Sequence, residues 1–440
     1  MIYQLLRLPL VVLFFFFYRR IYITGKENIP QQAPTLIASN HSTAFMEQIL
    51  VASLQKRSVY FWARGSVFEE KWSFPKLFAQ AHLIPIWRPQ EGLKKMQQNQ
   101  QIFEDSKDIL LDGKMFFIAP EGNSVPEKRL RTFKTGTARL ALLAAAADNF
   151  DRAIFILPTG VNYTYHCDFR SEVMVHFGAP ISIQNYQSLY EENPVMAAKQ
   201  LTQDLKAAIS KEVVIIDQKE DELLVEQLHI LMRNENEHYK DKVYSNNEKR
   251  LRLEQKVANT CNQLSGSSKM DLLQQSNAYF QQITNHQLTD LAVQQQGKLD
   301  GFKLIQSSLL FPFSIVGQIG GAIPVKAARY LRNTNVEDLQ FWAPMAVVFS
   351  LLTWMIYSLI IGLVGSFFIG WNVLFIPPLL VGLQYIAFSN QESWSSILTN
   401  RNYRYWKNQQ PSKAQKLERD RALLVKKYKA LSKNIQSLQH

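Results

Sequence analysis

The segment Ala38-Ser39-Asn40-His41-Ser42-Thr43-Ala44-Phe45-Met46-Glu47 sets a histidine just after a short apolar run and six residues before a glutamate. Histidine exchanges its proton near neutral pH, so at a strand-to-helix turn it can act as general base toward an attacking hydroxyl. A carboxylate on the second ring nitrogen fixes the tautomer and stabilises the imidazolium. Glu47 lies about a turn and a half along the helix that this segment opens, within reach of His41. A histidine–acid pair by itself is more often the hydrogen bonding of a helix start. Its chemistry depends on what else converges there.

Three further elements bring suitable groups. Leu83-Ile84-Pro85-Ile86-Trp87-Arg88 is an apolar run ending in arginine, whose planar fork suits a phosphate; alone, it reads equally as a surface arginine after a buried strand. Phe116-Phe117-Ile118-Ala119-Pro120-Glu121-Gly122-Asn123-Ser124 ends in Pro-Glu-Gly, where Gly122 permits a sharp turn and Glu121 can accept hydrogen bonds from a polyol. Arg129, Arg131 and Lys134 follow just before a helical stretch, and cations beside a helix N-terminus form a phosphate site. The alternative for Arg129 is an ion pair with Glu127. The fourth element, Ile156-Leu157-Pro158-Thr159-Gly160-Val161-Asn162-Tyr163, is a strand whose Pro and Gly shape a cleft wall. Amides near Gly122 or Gly160 are candidate oxyanion donors.

In order and spacing these four elements resemble the four motifs of the glycerophospholipid acyltransferase family. Leu130–Arg139 and the late apolar stretches also resemble the branch that includes the fungal glycerol-3-phosphate/dihydroxyacetone-phosphate acyltransferases and their bacterial relatives. The resemblance implies that His41 is the catalytic base and that Glu47 occupies the family's aspartate position. It implies that Asn40, Arg88, Glu121 and Gly122 belong to the acceptor site. Asn123 and Ser124 stand where a small residue and an arginine usually follow Pro-Glu-Gly, and Arg131 or Lys134 can supply that charge. The implied reaction moves a fatty acyl group from acyl-CoA or acyl carrier protein to glycerol 3-phosphate or lysophosphatidate, with no cofactor. Alternatives are an acyltransferase for a non-phosphate lipid acceptor, a thioesterase, and a non-catalytic lipid-binding membrane protein. A thioesterase would ordinarily carry Gly-x-Ser-x-Gly, which is absent. No metal site is expected, because the histidines are scattered without carboxylates at ligand spacing.

The elements that must position these residues alternate. Apolar runs at Thr35–Ala38, Val59–Ala63, Leu83–Trp87, Met115–Ala119, Ala153–Thr159 and Glu172–Phe177 read as strands. Leu93–Leu111 and Thr137–Ala147 read as helices. The expected fold class is α/β: a mainly parallel or mixed sheet flanked by helices, with an N-terminal membrane anchor helix, a helical second domain and a C-terminal transmembrane hairpin. The expected boundaries are 1–24 for the anchor, 25–187 for the α/β domain, 188–300 for a helical domain or insert, 301–390 for the membrane region and 391–440 for a basic cytoplasmic tail. Within 188–300, Leu223, Leu224, Leu228 and Leu231 form a stripe that reads as core.

Charge and hydropathy set the surroundings. The 440 residues carry a net charge of +12, and the last forty hold eleven Lys or Arg against two acids. Because this basic stretch follows an apolar region, an anionic membrane face is favoured over nucleic acid as its partner, with a solvated helix as the other reading of its far end. Two cysteines cannot build a disulfide framework. The apolar run Leu8–Phe17 is short for a full span and is followed by Arg19 and Arg20, so it is expected to lie in the cytoplasmic leaflet with both arginines among headgroups. Stretches 344–364 and 367–388 are long enough to span, turning at Gly365 and Ser366, with basic flanks that place both ends on the cytoplasmic side. The broken stretch Ser307–Pro324 is expected to re-enter or lie along the surface.

Overall fold

All six apolar runs are strands. The computed structural model describes residues 2–69 and 75–437. Among these, β1 (Arg20–Thr24), β2 (Thr35–Ser39), β3 (Val59–Arg64), β4 (Leu83–Ile86), β5 (Met115–Ile118), β6 (Phe155–Tyr163), β7 (Glu172–Phe177), β8 (Ile181–Ser182) and β9 (Tyr244–Ser245) join one mixed sheet. Its order is β4-β3-β5-β2-β6-β7-β1-β9, with β8 also paired to β6. Strands β4, β3, β5, β2 and β6 are parallel, while β7 runs against β6 and β1 and β9 run with β7. The carboxyl ends of β2 to β6 therefore share one edge. Pro158 is tolerated inside β6 because it falls in the gap between β8, which pairs Phe155 and Ile156, and β7, which begins its pairing at Thr159.

The longer helices are α1 (Ile2–Phe17), α2 (Met46–Leu54), α3 (Asn99–Leu111), α4 (Gly136–Ala147), α5 (Pro194–Ser210), α6 (Glu222–Glu235), α7 (Lys249–Gln263), α8 (Gly266–Asn285), α9 (Gly301–Gly320), α10 (Ala322–Asn335), α11 (Leu339–Ile369), α12 (Ile376–Gln409) and α13 (Pro411–Ser437). The chain divides into two compact units. One is Met1–Val214 with Lys242–Glu248 and Val336–Val347; the other is Ile215–Asp241 with Lys249–Asn335 and Val348–His440. The first boundary falls at 214 rather than 187 because α5 packs on α4 and β6.

In the first unit, alternate strand residues such as Ile37, Phe117, Leu157 and Val175 form one core with Phe14 and Phe17 of α1 and with Met46, Leu50 and Val51 of α2. The N-terminal helix is thus no free anchor but part of the cover of the sheet. Arg7 donates to the Ser53 carbonyl at the end of α2, and the Tyr3 hydroxyl accepts from the Val59 amide. Tyr3 and Tyr60 sandwich the His82 ring, with centroids 4.5 and 4.2 Å away. Arg19 and Arg20 both bind the Glu172 carboxylate of β7. Leu5, Leu8 and Val12 stay exposed as a stripe on the outer side of α1.

The second unit is helical. Leu224, Leu228 and Leu231 are buried as expected, while Leu223 is exposed. The basic C-terminal stretch is not a loose tail. Helix α13 buries Leu417, Leu424 and Tyr428, and Arg421 forks onto Asp290 at 2.7 and 3.1 Å while reaching Glu235 at 2.6 Å. The stretch expected to break at Pro312 runs through that proline as helix α9 and breaks instead at Gly321, after which α10 begins. Its glycines serve close packing: a Cβ on Gly317 would meet the Leu383 carbonyl oxygen at 2.2 Å. Asn390 of α12 donates to Ser307 O and Ser314 Oγ of α9. Gly365 and Ser366 lie inside α11, where Ser366 Oγ bonds back to Leu363 O. The helix ends instead at Gly370, which takes φ 58°, and the chain passes through a 3₁₀ turn, Gly370–Phe375, into α12. Helix α12 runs antiparallel to α9, its main packing partner.

Candidate active site

The carboxyl edge of the parallel strands gathers the four motifs, the position at which open α/β sheets place ligands. Strand β2 stops at Ser39, and Asn40 extends its ladder by a side chain. Asn40 Nδ2 donates to Val161 O and Oδ1 accepts from Val161 N, each at 2.8 Å. His41 follows, with its backbone amide donating to Glu121 Oε1 at 2.8 Å. Its carbonyl accepts from the Val125 amide at 3.3 Å.

Glu47, in the first turn of α2, folds back as the spacing suggests. Its Oε1 accepts from the amides of Ser42 and Thr43 at 3.2 and 2.8 Å and from Ser42 Oγ at 3.1 Å. That leaves Oε2, which stands 3.5 Å from His41 Nδ1. Glu47 is fully buried and His41 nearly so, with 9% exposure. The separation is at the outer limit of a hydrogen bond, and such contacts tighten when substrate closes a site. Tyr18 and Tyr163 are also fully buried, their ring centroids stacked 6.1 Å apart. Burial above all, and then the Glu47 charge, holds both phenols well above their usual titration range.

Glu121 Oε2 accepts from the Arg131 amide at 3.2 Å while Oε1 accepts from the His41 amide, so it ties two loops together. Burial raises its pKa, and the two amides oppose that rise. Gly122 takes φ 74°, closing a turn in which its own amide donates to Ala119 O. The amide is thereby turned away from any oxyanion. Gly160 is a packing residue, since a Cβ there would sit 2.0 Å from the Glu212 carbonyl oxygen.

The cations divide. Arg88, half-buried, donates from Nη1 to Asn123 Oδ1 at 2.9 Å, which links the second and third motifs. Burial and the neighbouring Arg64 charge lower its pKa. Arg64, the last residue of β3, is a cation at this edge that the sequence alone did not single out. Arg129 pairs with Glu127 at 3.0 Å, and Arg131 lies 3.8 Å from the same carboxylate. Lys134 is exposed, its stem running beside Gly122. The sequence also gave no sign of Gln340, whose carbonyl accepts from the Ala44 amide and whose side chain accepts from Ser124 Oγ.

A buried histidine–carboxylate pair at the end of β2, beside a cationic rim, forms a candidate acid–base site on an α/β sheet. Residues 20–162 match the family model described as Acyltransferase. The chain is 32% identical over 97 residues to glycerol-3-phosphate O-acyltransferase 2 of Saccharomyces cerevisiae, covering 22% of this chain and 13% of that protein. It is 31% identical over 91 residues to an uncharacterized acyltransferase of Schizosaccharomyces pombe, covering 20% of this chain and 13% of that one. The chain thus spans about an eighth of the length of these curated relatives. The crystal structure of the 1-acyl-sn-glycerophosphate acyltransferase PlsC from Thermotoga maritima is similar with a TM-score of 0.33 and 15% identity, over 48% of this chain and 81% of that one.

Proposed function

We propose that this protein transfers a fatty acyl group from a thioester, acyl-CoA or acyl carrier protein, to a hydroxyl of glycerol 3-phosphate or lysophosphatidate at a membrane surface. The observation that carries this reading is the His41 ring, with Nδ1 turned to a buried Glu47 and the loop beneath it tied to Glu121. Nε2 is then the nitrogen left for the acceptor. The hydroxyl attacks the thioester carbonyl as Nε2 takes its proton; the new C–O bond forms, the C–S bond breaks, and the proton leaves with the thiol. No covalent acyl-enzyme is needed.

Arg88, Arg131 and Lys134 are the cations proposed for an acceptor phosphate, with Arg64 beside them and Gly122 leaving the backbone open to approach. Asn40 serves the site through Val161, holding β6 against the turn that carries His41. Exposed apolar side chains on α9, α11 and α12, and the Leu5–Leu8–Val12 stripe of α1, favour the bilayer as partner. Stretches Gly301–Gly320 and Leu339–Gln409 each contain a segment long and apolar enough to cross it. Basic residues flanking them argue for the cytoplasmic face.

The test is acyl transfer by the membrane-embedded protein, offered both acceptors and both donor types. The expected result is transfer by the wild-type chain and a loss of about two to four powers of ten in a folded His41→Ala variant. Equal turnover by that variant would refute the mechanism.

A further inference from the structure

We infer that Gln340 is a positioning residue of the acyl-transfer site, its two carbonyl groups pinning the loops that carry the His41 and Pro-Glu-Gly motifs. The inference rests on the acyl-transfer reading of that site. Gln340 lies far outside the matched segment 20–162, yet Val336–Val347 belongs to the same compact unit as the sheet. The start of α11 is firmly seated there. Ala343 and Val347 are 1% and 2% exposed, in one core with Ile37 and Phe117. The Phe341 ring meets that of Phe45 at 6.4 Å, and Leu339 O accepts from Cys167 Sγ at 3.3 Å.

The sequence of α11 explains why Gln340 has a carbonyl to spare. In an α-helix the Gln340 oxygen would accept from the amide four residues on, but that residue is Pro344, which has no N–H. The Ala44 amide, three residues after His41, takes the vacant place at 3.0 Å. The side chain holds the second loop, where Ser124 Oγ donates to Gln340 Oε1 at 2.6 Å. Both neighbours of Ser124 act on the site. Asn123 Oδ1 accepts from Arg88 Nη1 at 2.9 Å, and the Val125 amide donates to His41 O at 3.3 Å. Fixing the Ser124 hydroxyl therefore sets where Asn123 holds the Arg88 fork, which the proposed function gives to the acceptor phosphate. The other reading, a stitch between loops that serves stability alone, predicts no distinction between the two substrates.

The test is Ser124→Ala, Gln340→Met and the double variant in the full membrane-embedded chain. Each is assayed with palmitoyl-CoA or palmitoyl-acyl carrier protein, whichever the wild type uses, against titrated glycerol 3-phosphate and lysophosphatidate. The expected result is an acceptor KM raised about three- to tenfold in each single variant, with the donor KM within about twofold. The kcat should stay within about threefold, because the backbone bond to Ala44 survives all three changes. The double variant should match either single one, since both changes remove the same bond. Melting curves accompany all three. An unchanged acceptor KM in both single variants, or effects that simply add in the double, would overturn the inference while leaving acyl transfer in place. A loss shared by donor and acceptor that tracks a fallen melting temperature would also overturn it, as stability alone. A wild-type chain that transfers no acyl group would remove the acyl-transfer reading and this inference together.

Discussion

Replacing Glu47 by glutamine removes a charge while keeping the shape, and the geometry fixes which way the amide must sit. Three donors, the Ser42 and Thr43 amides and Ser42 Oγ, converge on Oε1. The glutamine oxygen must take that place, because an NH₂ facing three donors would forfeit all three bonds at about 1–3 kcal/mol each. The NH₂ then points at His41 Nδ1, 3.5 Å from the present Oε2. Facing a donor, Nδ1 must accept, the ring proton moves to Nε2, and the nitrogen offered to the acceptor can no longer take a proton. The kcat should fall by about two to four powers of ten, or roughly 3–5 kcal/mol in the barrier. Acceptor and donor KM should stay within about threefold. Stability should fall modestly, since charge-assisted bonds become neutral ones at a loss of about 1 kcal/mol apiece. Radiolabelled acyl transfer to glycerol 3-phosphate, with a parallel melt, reads both quantities. A wild-type kcat, or an effect confined to the acceptor KM, would refute the tautomer argument.

Phe14→Ala should unfold or severely weaken the sheet-bearing unit, by about 3–5 kcal/mol, because that ring is buried in its core; circular dichroism melting separates this from simple release from the membrane. Arg88→Ala and Lys134→Ala should each raise the acceptor KM by roughly ten- to a hundredfold with little change in donor KM. Arg129→Ala should change neither by more than about threefold, since Glu127 already engages that side chain; a titration of both acceptors against all three variants checks the division.

Much of the sheet could be read in advance because its central strands β2, β5, β6 and β7 are buried on both faces and so appear as largely apolar runs. Strand β1 escaped notice because Arg20–Thr24 continues an apolar helix and finds its partner β7 some 152 residues away, so nothing local marks it as a strand. In the site, the spacing of His41 and Glu47 was legible because a helix start brings the two together without help from the rest of the fold. The main-chain partners of Glu121 were hidden for the opposite reason. A carboxylate after Pro can serve a substrate or a main chain, and only the placement of the 41 and 131 loops decides. The glycines of α9 looked like helix breakers, yet their value lies in the space they leave for Leu383 and Gln384, which sequence spacing does not reveal.

The pairing of β1 with β7 also bears on how the chain is made. Helix α1 and β1 leave the ribosome before their principal strand partner has been synthesised. At ordinary translation rates the intervening residues take roughly ten to thirty seconds. During that interval Phe14, Phe17 and the edges of β1 have no native surface to cover them, and a contact so remote in sequence forms late. Throughout it a lipid surface can shelter the whole helix, acting as a temporary substitute for the sheet. The final burial of Tyr18 would then mark the moment when the nascent helix exchanges lipid for protein.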